Sequence, residues 1–176
     1  MLFRSNFLNS KDEHVLAYLL DAYAQFEKDA DVHGLARTAA FLASVYDNYG
    51  AYETALSYVQ QGLRFVQDVE DKELESDLYA NAGLIYTRVS DLENAERSFL
   101  KSLSMREQLG NFRAAASSLN LLGRTFSLAN QFEKALDYYN RSLTLRTENN
   151  DTGGIPWTYI GMASVYERMR SEEHTS

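Results

Sequence analysis

Four aromatic residues, Tyr46, Tyr86, Phe126 and Tyr166, stand at one spacing of forty residues, and the chain between them repeats in step. A unit that recurs at this length builds a stacked array, in which each copy buries its apolar face against its neighbours. Three residues before each aromatic sits a small residue: Ala43, Gly83, Gly123 and Ala163. Nine residues after the first three aromatics sits alanine, at Ala55, Ala95 and Ala135. There follow a bulky residue (Val59, Phe99, Tyr139), a small one (Gly62, Ser102, Ser142) and leucine (Leu63, Leu103, Leu143). Apolar and small residues at steps of three, four and seven mark amphipathic helices. Small residues at fixed points let two helix backbones approach. Each unit therefore reads as two antiparallel helices joined by a short turn.

The expected turns agree. Ser10-x-x-Glu13, Ser90-x-x-Glu93 and Asn130-x-x-Glu133 fit a capping box or its asparagine analogue, which satisfies orphan amides at a helix start. The stretch from Gly50 to Glu53 keeps the glutamate, favoured there by the helix dipole. Between units lie Asp29-Ala30-Asp31, Glu70-Asp71, Gly110-Asn111 and Asn149-Asn150-Asp151, all turn-prone. The single proline, Pro156, falls near a helix start, where its missing amide costs little.

The pattern resembles the tetratricopeptide repeat family over nearly the whole chain. The family's small–aromatic–alanine signature is present as Gly83, Tyr86 and Ala95, and as Gly123, Phe126 and Ala135. The family's usual unit has 34 residues and a proline ending the second helix. Here Gln67, Glu107 and Thr147 hold that position and six residues are added, so the second helix is expected to run on by roughly 9 Å. The forty-residue form is similar to one found in many bacterial signalling proteins and some eukaryotic scaffolds. The resemblance implies an all-α fold, a right-handed superhelical α-solenoid of antiparallel helix hairpins.

Both termini are similar to something else. Arg-Ser-Glu-Glu-His-Thr-Ser at 170–176 resembles the in-frame translation of a sequencing adapter, and the adapter's reverse complement encodes Leu-Phe-Arg-Ser, matching 2–5. Segments 1–5 and 170–176 are therefore read as non-native. The array is expected to span 6–169: a partial unit at 6–32, units at 33–72, 73–112 and 113–152, and a partial unit at 153–169. It is read as a window into a longer protein, with apolar hairpin faces left open at both ends and self-association as the consequence.

Composition narrows the function. The net charge of −8 argues against a general nucleic-acid surface. No stretch approaches the length of a membrane span, and the chain has no cysteine. These features fit a cytoplasmic setting. His14 and His33 lack metal-like spacing and read as surface residues. Gly153-Gly154 lacks the lysine and strand of a phosphate loop and reads as a flexible turn. The chain is read as a non-enzyme with no cofactor and no metal.

In the resembled family, the first helices of successive hairpins line a concave groove. Carried onto this chain, the stripe comprises Arg37, Ala40, Phe41, Ser44, Asp47 and Asn48; then Asp77, Ala80, Asn81, Leu84, Thr87 and Arg88. It continues through Ser117, Asn120, Leu121, Arg124, Ser127 and Leu128, and ends on Trp157, Ile160, Ser164, Glu167 and Arg168. Asn81 and Asn120 are each expected to offer a donor and an acceptor to an extended backbone. Arg37, Arg88, Arg124 and Arg168 either pair with carboxylates on a partner or neutralise neighbouring acids along the stack. The clamp-like fifth positions hold Ala40, Ala80, Asn120 and Ile160, which disfavours capture of a chain-terminal carboxylate. The expected role is a scaffold that binds an acidic peptide or helix of a partner protein. The alternative is a sensory or regulatory input domain fused to a kinase, nucleotide cyclase or transcription activator.

Overall fold

The structure, a computed structural model, describes residues 10–173. The described residues form eight helices: α1 (Ser10–Asp29), α2 (Val32–Asn48), α3 (Tyr52–Val69), α4 (Lys72–Arg88), α5 (Leu92–Gln108), α6 (Phe112–Leu128), α7 (Phe132–Glu148) and α8 (Ile155–Glu173). Among the described residues there is no strand. The adapter-like segment 1–5 lies outside the described residues, as do 174–176 and the side chains of Ser10 and Glu13. Residues 170–173 continue α8. Gln67, Glu107 and Thr147 lie inside α3, α5 and α7, so the second helix of each pair does pass the position where the family carries proline. The first helices are as long: α2, α4, α5, α6 and α7 each have 17 residues.

The backbone repeats at half the sequence period. Ala30, Gly50, Glu70, Ser90, Gly110, Asn130 and Asn150, every twentieth residue, have φ between 53° and 72°. At six of these seven turns, all but Glu70, the following amide donates back to the carbonyl five residues earlier, as in Asp31 to Phe26 and Gln131 to Phe126, both 2.9 Å. This is the Schellman closure, which satisfies the last carbonyls of one helix while turning the chain into the next.

It also corrects the capping assignment. Ser90 and Asn130 are left-handed closers of the preceding helix, and the N-caps are the next residues, Asp91 and Gln131. Asp31, Asp71, Asp91 and Asn111 each accept a hydrogen bond from the amide three residues on, at 2.9–3.2 Å. Ala51 and Gln131 provide no side-chain cap. Glu53, Glu93 and Glu133 remain in first turns, where the helix dipole favours them.

The chain forms two compact bodies, one up to Asn81 and one from Ala82. In the first, Ala36, Ala40, Val66 and Leu78 form a core flanked by Leu63, Phe65, Val69 and Leu74. Tyr46 of α2 stacks on Tyr58 of α3 at 5.5 Å. In the second, Phe99, Leu103, Leu119, Leu122, Phe126, Tyr139 and Val165 belong to one apolar cluster. Its small positions are set by close approach. A Cβ on Gly83 would lie 2.6 Å from the Phe99 ring, and one on Gly123 would lie 2.9 Å from the Tyr139 ring. Ala55, Ala95 and Ala135 are fully buried, so a larger side chain there would overpack the helix contact. The recurring residues are thus core residues.

Two buried charges were not legible as such. Arg106 and Arg146 occupy the position that Val66 fills in α3, and they are 9% and 4% exposed. Arg106 Nη1 donates to Ser118 Oγ (2.7 Å) and to the Ala114 carbonyl (3.2 Å). Arg146 pairs with Asp151, itself 8% exposed, and donates to Ser117 Oγ (3.3 Å). Asp151 also receives Arg113 Nε at 3.3 Å. Gly154 packs directly on the Arg146 guanidinium, leaving no room for a Cβ.

Candidate functional site

In the first body, the predicted stripe lies along α2. Arg37, Phe41 and Asn48 are exposed, Phe41 to 55%. Ser44 is half-buried and donates to the Ala40 carbonyl, 3.2 Å away. Ala40, Ala80 and Asp47 are buried, so they contribute support and no contact surface. Asp77 is exposed. Asn81 Nδ2 donates to the Ala40 carbonyl at 3.2 Å, which spends one of its two amide protons on α2.

In the second body, α6 and α8 lie side by side. Asn120 Oδ1 accepts from the Thr158 hydroxyl at 3.2 Å, so its amide protons are what it can still offer. Arg124 is exposed on α6, as is Leu128 at 59%. On α8, Trp157 is 70% and Ile160 60% exposed. Leu84 is half-buried against the core, Leu121 likewise, while Arg88 is exposed on the last turn of α4.

Arg168 has a different place from the one expected. It donates to Asn130 Oδ1 (2.6 Å) and Ser127 Oγ (3.3 Å), and its guanidinium lies over the Phe132 ring at 5.7 Å. It therefore fastens α8 to the turn between α6 and α7. Ser117 is likewise engaged, accepting from Arg146 and donating to the Arg113 carbonyl at 3.0 Å. Burial pushes the Tyr139 phenol up, and the charge of Arg124 opposes that shift.

One polar cluster has the residue types of an acid–base site. Glu96 accepts from Tyr138 Oη (2.7 Å) and from Lys134 Nζ (2.8 and 2.9 Å), and Lys134 sits 3.9 Å above the Phe126 ring. Burial pushes the Glu96 carboxyl up, but the hydrogen bonds from Lys134 and Tyr138 and the lysine charge outweigh it, holding the group below the usual carboxylate range. Burial, then the Glu96 contact, raises the Tyr138 phenol well above its ordinary value. A carboxylate kept charged beside a phenol kept neutral has no proton to exchange near neutral pH. The cluster ties α5 to α7.

His33 Nε2 lies 2.9 Å from Asp71 Oδ2, joining the start of α2 to the cap of α4, while His14 is exposed. Among the described residues no group of three potential metal ligands converges. No helix among them is long and apolar enough to cross a membrane.

Residues 74–148 match the family model described as tetratricopeptide repeat. That stretch is similar to tetratricopeptide repeats. Repeats of this family generally serve as scaffolds for protein–protein contact and are typically non-enzymatic. No curated protein matches the sequence. Among solved structures, the crystal structure of BtubC (BKLC) from P. vanneervenii is similar, with a TM-score of 0.67 and 20% identity. The match covers 77% of this chain and 57% of that one, so the likeness is one of repeat fold over part of a longer chain.

Proposed function

We propose that the tetratricopeptide repeats of this chain form a non-enzymatic binding module for a partner protein, and that the outer face of α6 and α8 takes a segment carrying acidic and apolar side chains. The observation that carries this reading is Trp157, Ile160 and Leu128, each 59–70% exposed, with the exposed Arg124 on the same helix pair. Large apolar side chains grouped on an exposed face mark contact sites, and arginine among them selects carboxylates through paired hydrogen bonds. The α2 stripe of the first body has similar chemistry in Arg37 and Phe41. A nucleic-acid phosphate surface is disfavoured by the net charge of −8.

Trp157 is the sole tryptophan, so its emission reports on this face alone. A peptide with alternating acidic and leucine residues should shift that emission to the blue. Its affinity should fall several-fold between about 50 and 300 mM salt, because exposed charge pairs are screened over about one Debye length. Arg124→Ala should weaken it about tenfold, as loss of a charge-assisted contact does. An unshifted emission, or equal response to a lysine-substituted peptide, would refute the reading.

A further inference from the structure

Tyr139 of α7 holds the position that Phe99 fills in α5. Phe99 packs over Gly83 with a bare ring, so packing at this position does not call for a hydroxyl. Tyr139 packs over Gly123 of α6 in the same way, with Cδ2, Cε2 and Cζ each 2.9 Å from where a Cβ would stand. It also meets a second glycine. A Cβ on Gly161 of α8 would run into Cε1 and would lie 2.5 Å from Cζ and 2.8 Å from Oη. The matching residues are Leu121 in α6 and Asn81 in α4, so the passage exists because α8 carries glycine there. The outer end of the ring therefore lies between α6 and α8, with its hydroxyl in the seam of the two helices.

The surroundings of that hydroxyl are one-sided. Tyr139 is 4% exposed, and among the described residues no hydrogen bond reaches its Oη. The oxygen is nevertheless not sealed from solvent. Burial keeps the phenol protonated at neutral pH, so Oη has a proton to donate. Among the described residues the one charge acting on it is that of Arg124, which is exposed and has no ion-pair partner. Asn120, one turn before Arg124, has its oxygen engaged by Thr158 and offers amide protons. The seam thus presents proton donors beside a positive charge.

We infer that the Tyr139 hydroxyl is a ligand-binding group, reached between Gly123 and Gly161, and that with Arg124 it receives a carboxylate side chain of the partner segment. Arg124 takes one carboxylate oxygen, and Tyr139 Oη donates to the other. The inference rests on the binding role proposed for α6 and α8, and adds the point at which an acidic side chain is read. A carboxamide can accept from the hydroxyl but gains nothing from the charge. A segment with no acceptor at this point leaves an enclosed donor unpaired, which is how a polar site rejects an analogue.

Tyr139→Phe removes one oxygen and keeps the ring, which Phe99 shows to be sufficient over a glycine. Its helical circular dichroism and Tm should stay close to those of the parent. It should bind the peptide of alternating acidic and leucine residues about five- to tenfold more weakly, read by Trp157 emission. With glutamine in place of the acidic residues, parent and variant should differ by less than about twofold. Equal binding of the acidic peptide by both proteins would overturn the inference and leave the binding role of α6 and α8 standing. Equal weakening for both peptides would also overturn it, because that marks a packing effect. A second probe does not depend on the peptide. In protein with isotope-labelled tyrosine Cζ, the resonance lost in Tyr139→Phe should move saturably with sodium acetate up to about 200 mM, a range suited to so small a ligand. Sodium chloride at equal ionic strength should not move it, and Arg124→Ala should abolish the response. Movement with acetate but no peptide binding upholds the carboxylate site and removes the binding role. A resonance indifferent to acetate and peptide alike overturns the inference.

Discussion

Gly153 and Gly154 are neighbours with opposite expected responses to alanine. Nothing lies within 4 Å of a Cβ built on Gly153, whereas a Cβ on Gly154 would occupy the space of the Arg146 guanidinium and approach Asp151. Arg146 is 4% and Asp151 8% exposed, so a displaced guanidinium cannot fall back into water without opening the α7–α8 turn. Separating a buried ion pair costs about 3–5 kcal/mol. Replacing glycine returns about 0.4–1 kcal/mol by restricting the unfolded chain. Gly154→Ala should therefore destabilise by about 2–4 kcal/mol, and Gly153→Ala should be neutral or slightly stabilising. For a chain of this size each kcal/mol moves Tm by about 2–4 °C, so Gly154→Ala should lower Tm by roughly 4–16 °C. Thermal unfolding followed by Trp157 emission reports on this end of the chain. Because neighbouring repeats can unfold separately, the comparison belongs between the two variants under one probe. Equal Tm values for the two would refute the account. In an Arg146→Met background the difference between the glycines should shrink to a few tenths of a kcal/mol, the residual expected once the shared partner is gone.

Three further outcomes follow from the turns and the polar cluster. Glu70→Gly and Ser90→Gly, at left-handed positions, should each raise stability by about 0.5–1 kcal/mol in urea unfolding. Asn130→Gly should gain less, because Arg168 loses its 2.6 Å acceptor. Glu96 and Asp71 are held below the usual carboxylate range, Asp71 by the Leu74 amide and then His33. A depressed folded value means stability present above the ordinary unfolded value, about 4, and lost as pH falls through the folded one. Glu96→Gln should cost about 1 kcal/mol at pH 7, and its Tm gap to the parent should close on acidification below about pH 4.

The side-chain repeat was legible in the sequence and the backbone repeat was not. Small and aromatic positions such as Gly123 and Phe126 must fit a facing ring, so volume is fixed and the forty-residue period is written in residue type. The twenty-residue turn is closed by backbone hydrogen bonds that most residues can make, and Ala30, Ser90, Asn130 and Asn150 all adopt it. That tolerance hid the half period. It also made Ser90 and Asn130 look like caps, since serine and asparagine serve both ends of a helix. Arg106 and Arg146 did recur at the right spacing, but arginine in a last helical turn ordinarily signals a solvated dipole partner. Only Ser118 and Asp151, brought in by the neighbouring elements, reveal that they are buried.

The exposed faces of α2, α6 and α8 differ from those of α3, α5 and α7 in what they leave in water. Along α3, α5 and α7, among the described residues, the one exposed large hydrophobic is Leu100. Along α2, α6 and α8 they are Phe41, Phe112, Leu128, Trp157, Tyr159, Ile160 and Tyr166. Both helix sets are equally helical and equally repeated, so propensity does not account for the difference. Tyr159 and Tyr166 occupy the α8 positions at which Leu119 and Phe126 of α6 are buried in the core. Phe41, Leu128, Trp157 and Ile160 do not share those positions. The same stripe varies in residue type from one repeat to the next: Arg37, Asp77, Ser117 and Trp157 share one position, while the core position three residues before each aromatic admits only alanine or glycine. Packing within the fold therefore sets neither the identity nor the exposure of these side chains. Stability alone would favour polar residues there, at about 25 cal/mol for each Å² of apolar surface left in water. In the binding role proposed for α6 and α8, contact with a partner would offset the cost of leaving Leu128, Trp157 and Ile160 in water.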